Sequence, residues 1–285
     1  MKILLTGKNG QVGWELVRAL APLGEVIAYD RAGLDLALPD RIVDAVRSAK
    51  PGVVVNAAAY TTVDQAEREP AAAHAINASA VALLAEEAKR AGALLVHYST
   101  DYVFDGTKEA PYVEEDRANP LGEYGRSKLA GERAIREIGG AYLILRTSWV
   151  YSTRGKNFFL TMRRLLREKD EVRVVSDQIG APTFAGVLAD ATAEILRSRK
   201  QERLGLYHLT ASGSTSWHGF AAAIARLERS AAHVMPIASE DYPLPARRPR
   251  NSRLSNEKLL REFGLALPDW EVSLAACHAS LAGAR

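Results

Sequence analysis

The stretch Lys2-Ile3-Leu4-Leu5-Thr6-Gly7-Lys8-Asn9-Gly10-Gln11-Val12-Gly13 decides the fold. A short apolar run ends on a glycine, two more glycines follow at intervals of three, and an amphipathic stretch carrying Val12, Leu16, Ala19, Leu20 and Leu23 begins at once. This is how a buried strand turns tightly into a helix. In such a unit Gly7 and Gly10 let the backbone approach a pyrophosphate, and Gly13 lets helix and strand pack closely. The phosphate charge then lies at the helix N-terminus, where free N–H groups and the helix dipole favour anions. The spacing is not the usual G-x-G-x-x-G, so the order strand, loop, helix carries the inference.

Outward from that turn, short apolar runs at 2–6, 25–29, 52–57, 93–99 and 141–147 alternate with amphipathic stretches at 10–21, 39–49, 70–91 and 124–138. The alternation predicts an α/β fold, a doubly wound parallel sheet of the Rossmann kind. Val53-Val54-Val55 and Leu94-Leu95-Val96 have the unbroken apolarity of strands buried on both faces. After Trp149 the rhythm loosens into a segment at 177–183, a helix at 188–199, a strand at 205–209 and a proline-arginine stretch at 243–253. The expected organisation is a dinucleotide-binding domain over 1–150 and a smaller α/β substrate lobe over 151–285, with late segments crossing back to the first sheet.

Of the 285 residues, 47% are hydrophobic and 25% charged, which excludes disordered and fibrous classes. A net charge of +3 gives no electrostatic reason to expect nucleic acid or a membrane surface. The single cysteine, Cys277, excludes an intrachain disulfide and a cysteine zinc cluster. The first apolar run is too short for a signal-peptide core of roughly 7–15 residues. No stretch approaches the roughly 20 apolar residues that cross a bilayer, and a cytoplasmic protein is expected. The six histidines include no pair at i and i+4, so no metal site is expected.

Three groups carry chemistry. Asp30 ends the second strand where an acidic residue meets adenosine ribose hydroxyls, while Arg31 beside it suits a 2′-phosphate, so NADH and NADPH both stay open. Tyr124-Gly125-Arg126-Ser127-Lys128 puts a phenol and an ammonium on one helix face, the face of Gly131, Ala134 or Ile135, and Ile138, with Glu132 expected on the solvent side. Ser99-Thr100-Asp101 ends the fourth strand at the carboxyl edge of the sheet, where ligands of open α/β folds bind. If these meet, Tyr124 exchanges a proton with a substrate oxygen, Thr100 hydrogen-bonds that oxygen, and Lys128 lowers the tyrosine pKa and holds a nicotinamide ribose. The arginines at 247, 248, 250 and 253 read either as a diphosphate clamp, centred on Arg248 or Arg250, or as a solvated loop.

The glycine spacing and the Thr100, Tyr124, Lys128 set resemble the extended short-chain dehydrogenase/reductases. Longer blocks narrow the likeness: those at 7–16, 56–64, 99–106, 146–151, 177–183 and 248–252 are similar to the dTDP-4-dehydrorhamnose reductases, nearly the whole chain being covered. The resemblance implies reduction of the C4 ketone of dTDP-4-dehydro-β-L-rhamnose by NADPH or NADH. It implies cofactor contacts from Gly10, Gln11, Val12, Asp30, Asp35, Leu36, Ala58, Ala59, Tyr60, Tyr98 and Lys128. Sugar-nucleotide contacts are implied for Thr100, Asp101 and Trp149. Some members use an acidic residue at the place of Glu15 for Mg²⁺ at a dimer contact, although here Glu15 reads as solvated. Trp14, off the apolar stripe, is one candidate for a homodimer interface. Two other readings stay open: a non-catalytic dinucleotide-binding regulatory subunit like that of methionine adenosyltransferase, and another nucleotide-sugar reductase or epimerase.

Overall fold

The computed structural model describes residues 1–198 and 203–282. The expected helix end at Arg199 and the last three residues of the 151–285 lobe lie outside them. Six strands, β1 (Lys2–Thr6), β2 (Glu25–Tyr29), β3 (Val53–Asn56), β4 (Leu94–Thr100), β5 (Tyr142–Thr147) and β6 (Gly205–His208), form one parallel sheet in the order β6-β5-β4-β3-β1-β2. Five helices are central to its cover: α1 (Gln11–Leu20), α2 (Pro39–Ala49), α3 (Ala80–Arg90), α4 (Glu123–Ile138) and α5 (Ala185–Arg197).

Strand alternation divides the core between the two faces of the sheet. Ile3, Leu5, Val53, Val55 and Val96 pack with Leu16 and Leu20 of α1 and Leu188 of α5. Leu4, Val54, Leu95 and Ile144 pack with Ile42 and Val46 of α2, Leu84 of α3 and Ile135 of α4. The chain leaves β1 for β2 on one side and returns to β3 on the other, so the carboxyl ends of β1 and β3 open a crevice. Gly7 lines it at φ +77, and a Cβ there would lie 2.8 Å from the Ala58 nitrogen beyond β3. Only a glycine lets the turn close this tightly.

The strand expected at 205–209 is the sixth strand of this sheet, paired with β5, although it follows residue 150. Beyond β5 a second core gathers Tyr151, Phe159, Phe220 and Trp270 between helices Phe158–Glu168, Trp217–Glu228 and Trp270–Ala282. Glu171–Val175 pairs there with His233–Ile237. No helix among the described residues is long and apolar enough to cross a membrane.

Two local expectations differ. The helix expected at 70–91 is interrupted: Pro70–His74 passes through a π-turn, Ala75–Ser79, before α3. The buried Asn77 lies in that turn, and its amide bonds to backbone and side chains outside the helix. Glu132 is buried instead of solvated, because Arg146 on β5 is buried opposite and the two form a bidentate pair at 2.8 and 2.6 Å. Arg146 Nη1 has no hydrogen-bond partner among the described residues, so the bonds from Nε and Nη2 to Glu132 are what compensate a cation the sheet has desolvated. Replacing the carboxylate alone in Glu132→Leu is expected to cost about 3–5 kcal/mol in urea unfolding, and the double replacement with Arg146→Met to cost less, since no unpaired charge then stays buried.

Candidate active site

The cofactor-side residues gather around the β1 turn. No side chain caps α1 at Gly10, which leaves the N–H groups of its first turn for a ligand. Asp30 ties the end of β2 to this turn: it accepts from Gly33 N at 3.0 Å and Asn9 Nδ2 at 3.1 Å, with Lys8 Nζ at 3.8 Å. The Gly33 N–H, foremost, holds its carboxyl below the usual range. Asp35 accepts from Ala37 N and from the exposed Arg31. Ala58, Ala59 and Tyr60 follow β3 as partly exposed backbone. Gln11 reaches across to Asn157, whose Nδ2 donates to its Oε1 at 2.9 Å. An open helix end, a glycine turn with no room for a Cβ and a carboxylate at the end of β2 fit a dinucleotide.

Two residues expected at the cofactor have buried side chains. Leu36 is buried among Leu34 and Ile42 beneath α2. Tyr98 turns its ring into the core, its hydroxyl 2.6 Å from Thr192 Oγ1 on α5. Alternation along β4 sends side chains 97 and 98 to opposite faces, and what Tyr98 offers near the site is its carbonyl.

That carbonyl accepts from Lys128 Nζ at 2.6 Å. Lys128, one turn along α4 from Tyr124, is buried, and burial lowers its pKa to about 8 against the raising effect of Glu132. The start of α4 presses on the turn after β4: a Cβ on Gly125 would lie 2.2 Å from the Tyr102 carbonyl oxygen. This close approach brings Tyr124 beside Thr100. Burial pushes the Tyr124 phenol up to about 12, and the neighbouring Thr100 hydroxyl acts the other way. The expected lowering by Lys128 is absent, because that cation points its donors at β4. Tyr102 meets Tyr124 edge to face at 5.6 Å.

On the substrate side, Asp101 is buried and pushed up to about 6 by burial. Thr100 Oγ1 donates to its Oδ1 at 3.1 Å, while its Oδ2, with Ser99 Oγ and Thr147 Oγ1, has no partner among the described residues. These atoms lie on residues at the carboxyl ends of β4 and β5, the edge where ligands of such sheets bind. Trp149 follows β5 at φ +48, an uncommon conformation for a bulky residue. Its ring stacks on Trp217 at 3.6 Å and 7°.

Of the four arginines, Arg248 is engaged with Asp64 through both terminal nitrogens, at 3.1 and 2.8 Å. Arg247 and Arg250 are exposed, and Arg253 bonds to Asn251 and to the Glu109 carbonyl. A cavity of about 1010 Å³, lined by Arg126, Arg133, Arg136 and Lys258, contains no member of the Thr100, Tyr124, Lys128 set.

Sequence reasoning missed four residues. Asn77 joins Tyr60 to Ser127, whose hydroxyl bonds back to the Tyr124 carbonyl. Its signal was a lone polar amide within an alanine-rich helix. His97 contacts Lys128 and had been set aside with the other histidines, although it interrupts an otherwise apolar strand segment. Asp64 holds Arg248, and Trp217 backs Trp149. Both pairings are long-range, and nothing local announces them.

A family model described as the RmlD substrate binding domain matches residues 1–282. A dTDP-4-dehydrorhamnose reductase of Burkholderia thailandensis is 52% identical, the match covering 97% of this chain and 98% of that one. One of Escherichia coli K12 is 49% identical with 96% of each covered. Among solved structures, a dTDP-4-dehydrorhamnose reductase of Bacillus anthracis in complex with NADP superimposes with a TM-score of 0.93 at 36% identity, covering 98% of this chain and 99% of that one. A Clostridium acetobutylicum counterpart gives 0.95 at 38% identity, covering 99% and 100%. A Thermus thermophilus UDP-glucose 4-epimerase, at 21% identity over all of both chains and a TM-score of 0.85, shares the fold. By the extent of these matches, the chain belongs to the RmlD family of dTDP-4-dehydrorhamnose reductases.

Proposed function

We propose that the chain reduces the C4 ketone of dTDP-4-dehydro-β-L-rhamnose to the alcohol of dTDP-β-L-rhamnose, using NADPH or NADH. The observation that carries this reading is the meeting of Tyr124 with Thr100 at the end of β4, Lys128 lying one helical turn away and the β1 turn shaped for a pyrophosphate. The full-length likeness to named reductases supports it, and the Bacillus anthracis relative in complex with NADP supports the cofactor class.

When bound, the reduced nicotinamide supplies the hydride that adds to C4. Tyr124, with a pKa near 12, is protonated across the neutral range and can deliver its proton to the nascent O4 alkoxide. Thr100, its hydroxyl hydrogen turned from Asp101 Oδ1, donates to the same oxygen, a bond that strengthens as charge develops there. Lys128 holds a ribose hydroxyl with the N–H that His97 and the Tyr98 carbonyl leave free. Asp101 and Trp149 receive the sugar, and Arg248 the diphosphate once it exchanges some of its bonding from Asp64.

The proposal extends to organisation. Residues 1–150 form the cofactor-binding domain and 151–285 a substrate lobe, with Thr100, Asp101, Tyr124 and Trp149 reaching the sugar from the first and β6 returning to its sheet. It places the enzyme in the cytoplasm as a homodimer. Trp14 is 52% exposed on α1, with the Arg154 guanidinium 3.7 Å from its ring centre, and is the surface group best suited to a second copy.

Mixing the protein with NADPH, then NADH, and the dTDP-4-keto sugar should consume reduced cofactor, followed by its absorbance; no consumption with either sinks the reading. Tyr124→Phe should lower kcat by about 10²–10⁴-fold with cofactor affinity nearly unchanged, and retained turnover would remove Tyr124 from the mechanism. The pH profile has a definite sign: Lys128 loses its proton above about 8, so kcat/KM should decline on the alkaline side from there. A profile flat to pH 10 would contradict the need for the cation.

A further inference from the structure

The imidazole of His97, wholly buried in β4, has its Nε2 3.1 Å from Lys128 Nζ and its Nδ1 3.0 Å from the Asn56 amide. On the other side of that amide, Thr6 Oγ1 stands 2.6 Å away. Thr6 Oγ1 also accepts from Ala58 N at 3.3 Å, the nitrogen against which Gly7 closes. A polar line thus runs beneath the crevice from helix α4 through β4 and β3 to β1.

We propose that His97 is the positioning residue for Lys128, accepting one ammonium hydrogen at Nε2 and anchoring the lysine, through Asn56 and Thr6, to the turn after β1. This inference rests on the placement of Lys128 in the reductase site. Counting donors fixes the protonation along the line. An ammonium only donates, so Nε2 must accept, and a neutral imidazole then carries its proton on Nδ1. Asn56 is placed with its Nδ2 toward His97 and its Oδ1 toward Thr6; Nδ1–H needs an acceptor, which requires the amide turned end for end, carbonyl oxygen toward His97 and NH₂ toward Thr6. The two ends of an amide exchange by a half-turn that moves no heavy atom appreciably, so the distances stand.

The line has a consequence for geometry. Lys128 spends one hydrogen on His97 and one on the Tyr98 carbonyl, which leaves a single N–H for a ligand. Both anchors are consecutive residues of β4, two and three positions before Thr100, so the strand itself sets the spacing between ammonium and threonine. The titratable groups bearing on the lysine are Glu132 from its own helix and His97 from β4. Burial and the Lys128 charge both hold His97 well below its ordinary pKa, which agrees with a neutral ring.

The test has a spectroscopic and a kinetic arm. In protein labelled with ¹⁵N at histidine, the His97 resonance, assigned by its loss in His97→Gln, should show the neutral Nδ1–H tautomer at about pH 6 to 7, where Lys128 is an ammonium. In Lys128→Met that preference should weaken or reverse, because the donor to Nε2 is gone. An Nε2–H tautomer in the wild-type protein, or an unchanged tautomer in Lys128→Met, overturns the proposal.

In the kinetic arm, His97→Leu should lower kcat/KM for the reduced cofactor by about ten- to a hundredfold and move the alkaline limb about one pH unit lower, since the cation loses an acceptor. His97→Gln, whose Oε1 can stand in for Nε2, should recover most of both. A wild-type profile in His97→Leu, or no recovery in His97→Gln, reduces His97 to packing. If His97→Leu does not fold, the tautomer and the glutamine profile decide. Retained turnover in Lys128→Met would instead fail the reductase site while leaving the tautomer result standing.

Discussion

An ammonium group taken out of water against a parallel sheet must find acceptors, and the site is organised around that need. Lys128 meets it with the Tyr98 carbonyl and the His97 ring, both on β4. Because those anchors precede Thr100 on the same strand, satisfying the cation also sets its register with the threonine. Tyr124 follows, since it shares a helix face with Lys128 and the glycine after it lets α4 press on the turn beyond β4. The same desolvation that lowers the lysine pKa raises that of the tyrosine, leaving one group able to lose its charge near pH 8 and the other protonated throughout.

The second constraint is topological. With β1 flanked by β2 and β3, a crevice opens where the chain changes direction, and the glycine turn lies on its rim. The turn is held from both sides: Asp30 gathers Asn9 and Gly33 from the β2 end, and Ala58 abuts Gly7 from the β3 end. The tie from Asn157 to Gln11 then brings the segment after β5 to the same rim. The sugar-side groups, Trp149 with Trp217 and Arg248 with Asp64, are fixed by pairs distant in sequence.

Much of this was legible beforehand where the signal is local. The parallel strands were visible as unbroken apolar runs, and Tyr124 and Lys128 were placed on one face by helical spacing alone. Glu132 shows the limit: helix periodicity put it on the solvent side, and the buried Arg146 on another strand turns its carboxylate inward. Asn77 shows another, since a π-turn arises from bonds to Tyr60 and Ser127 that no helical pattern encodes. Tyr98 and Leu36 show a related limit: each lies in a stretch that borders the crevice, while strand alternation and core packing bury their side chains.

The sequence by itself determined the parallel sheet, the glycine turn, and the spacing that sets a phenol and an ammonium side by side, because each depends on neighbours within a few residues along the chain. Tertiary structure alone decided which polar groups are buried, which partners satisfy them, and which late strand completes the first sheet. Desolvation is a property of the assembled molecule: a lysine, a glutamate or a histidine acquires its role from the groups that enclose it, and those come from strands and helices far away in sequence.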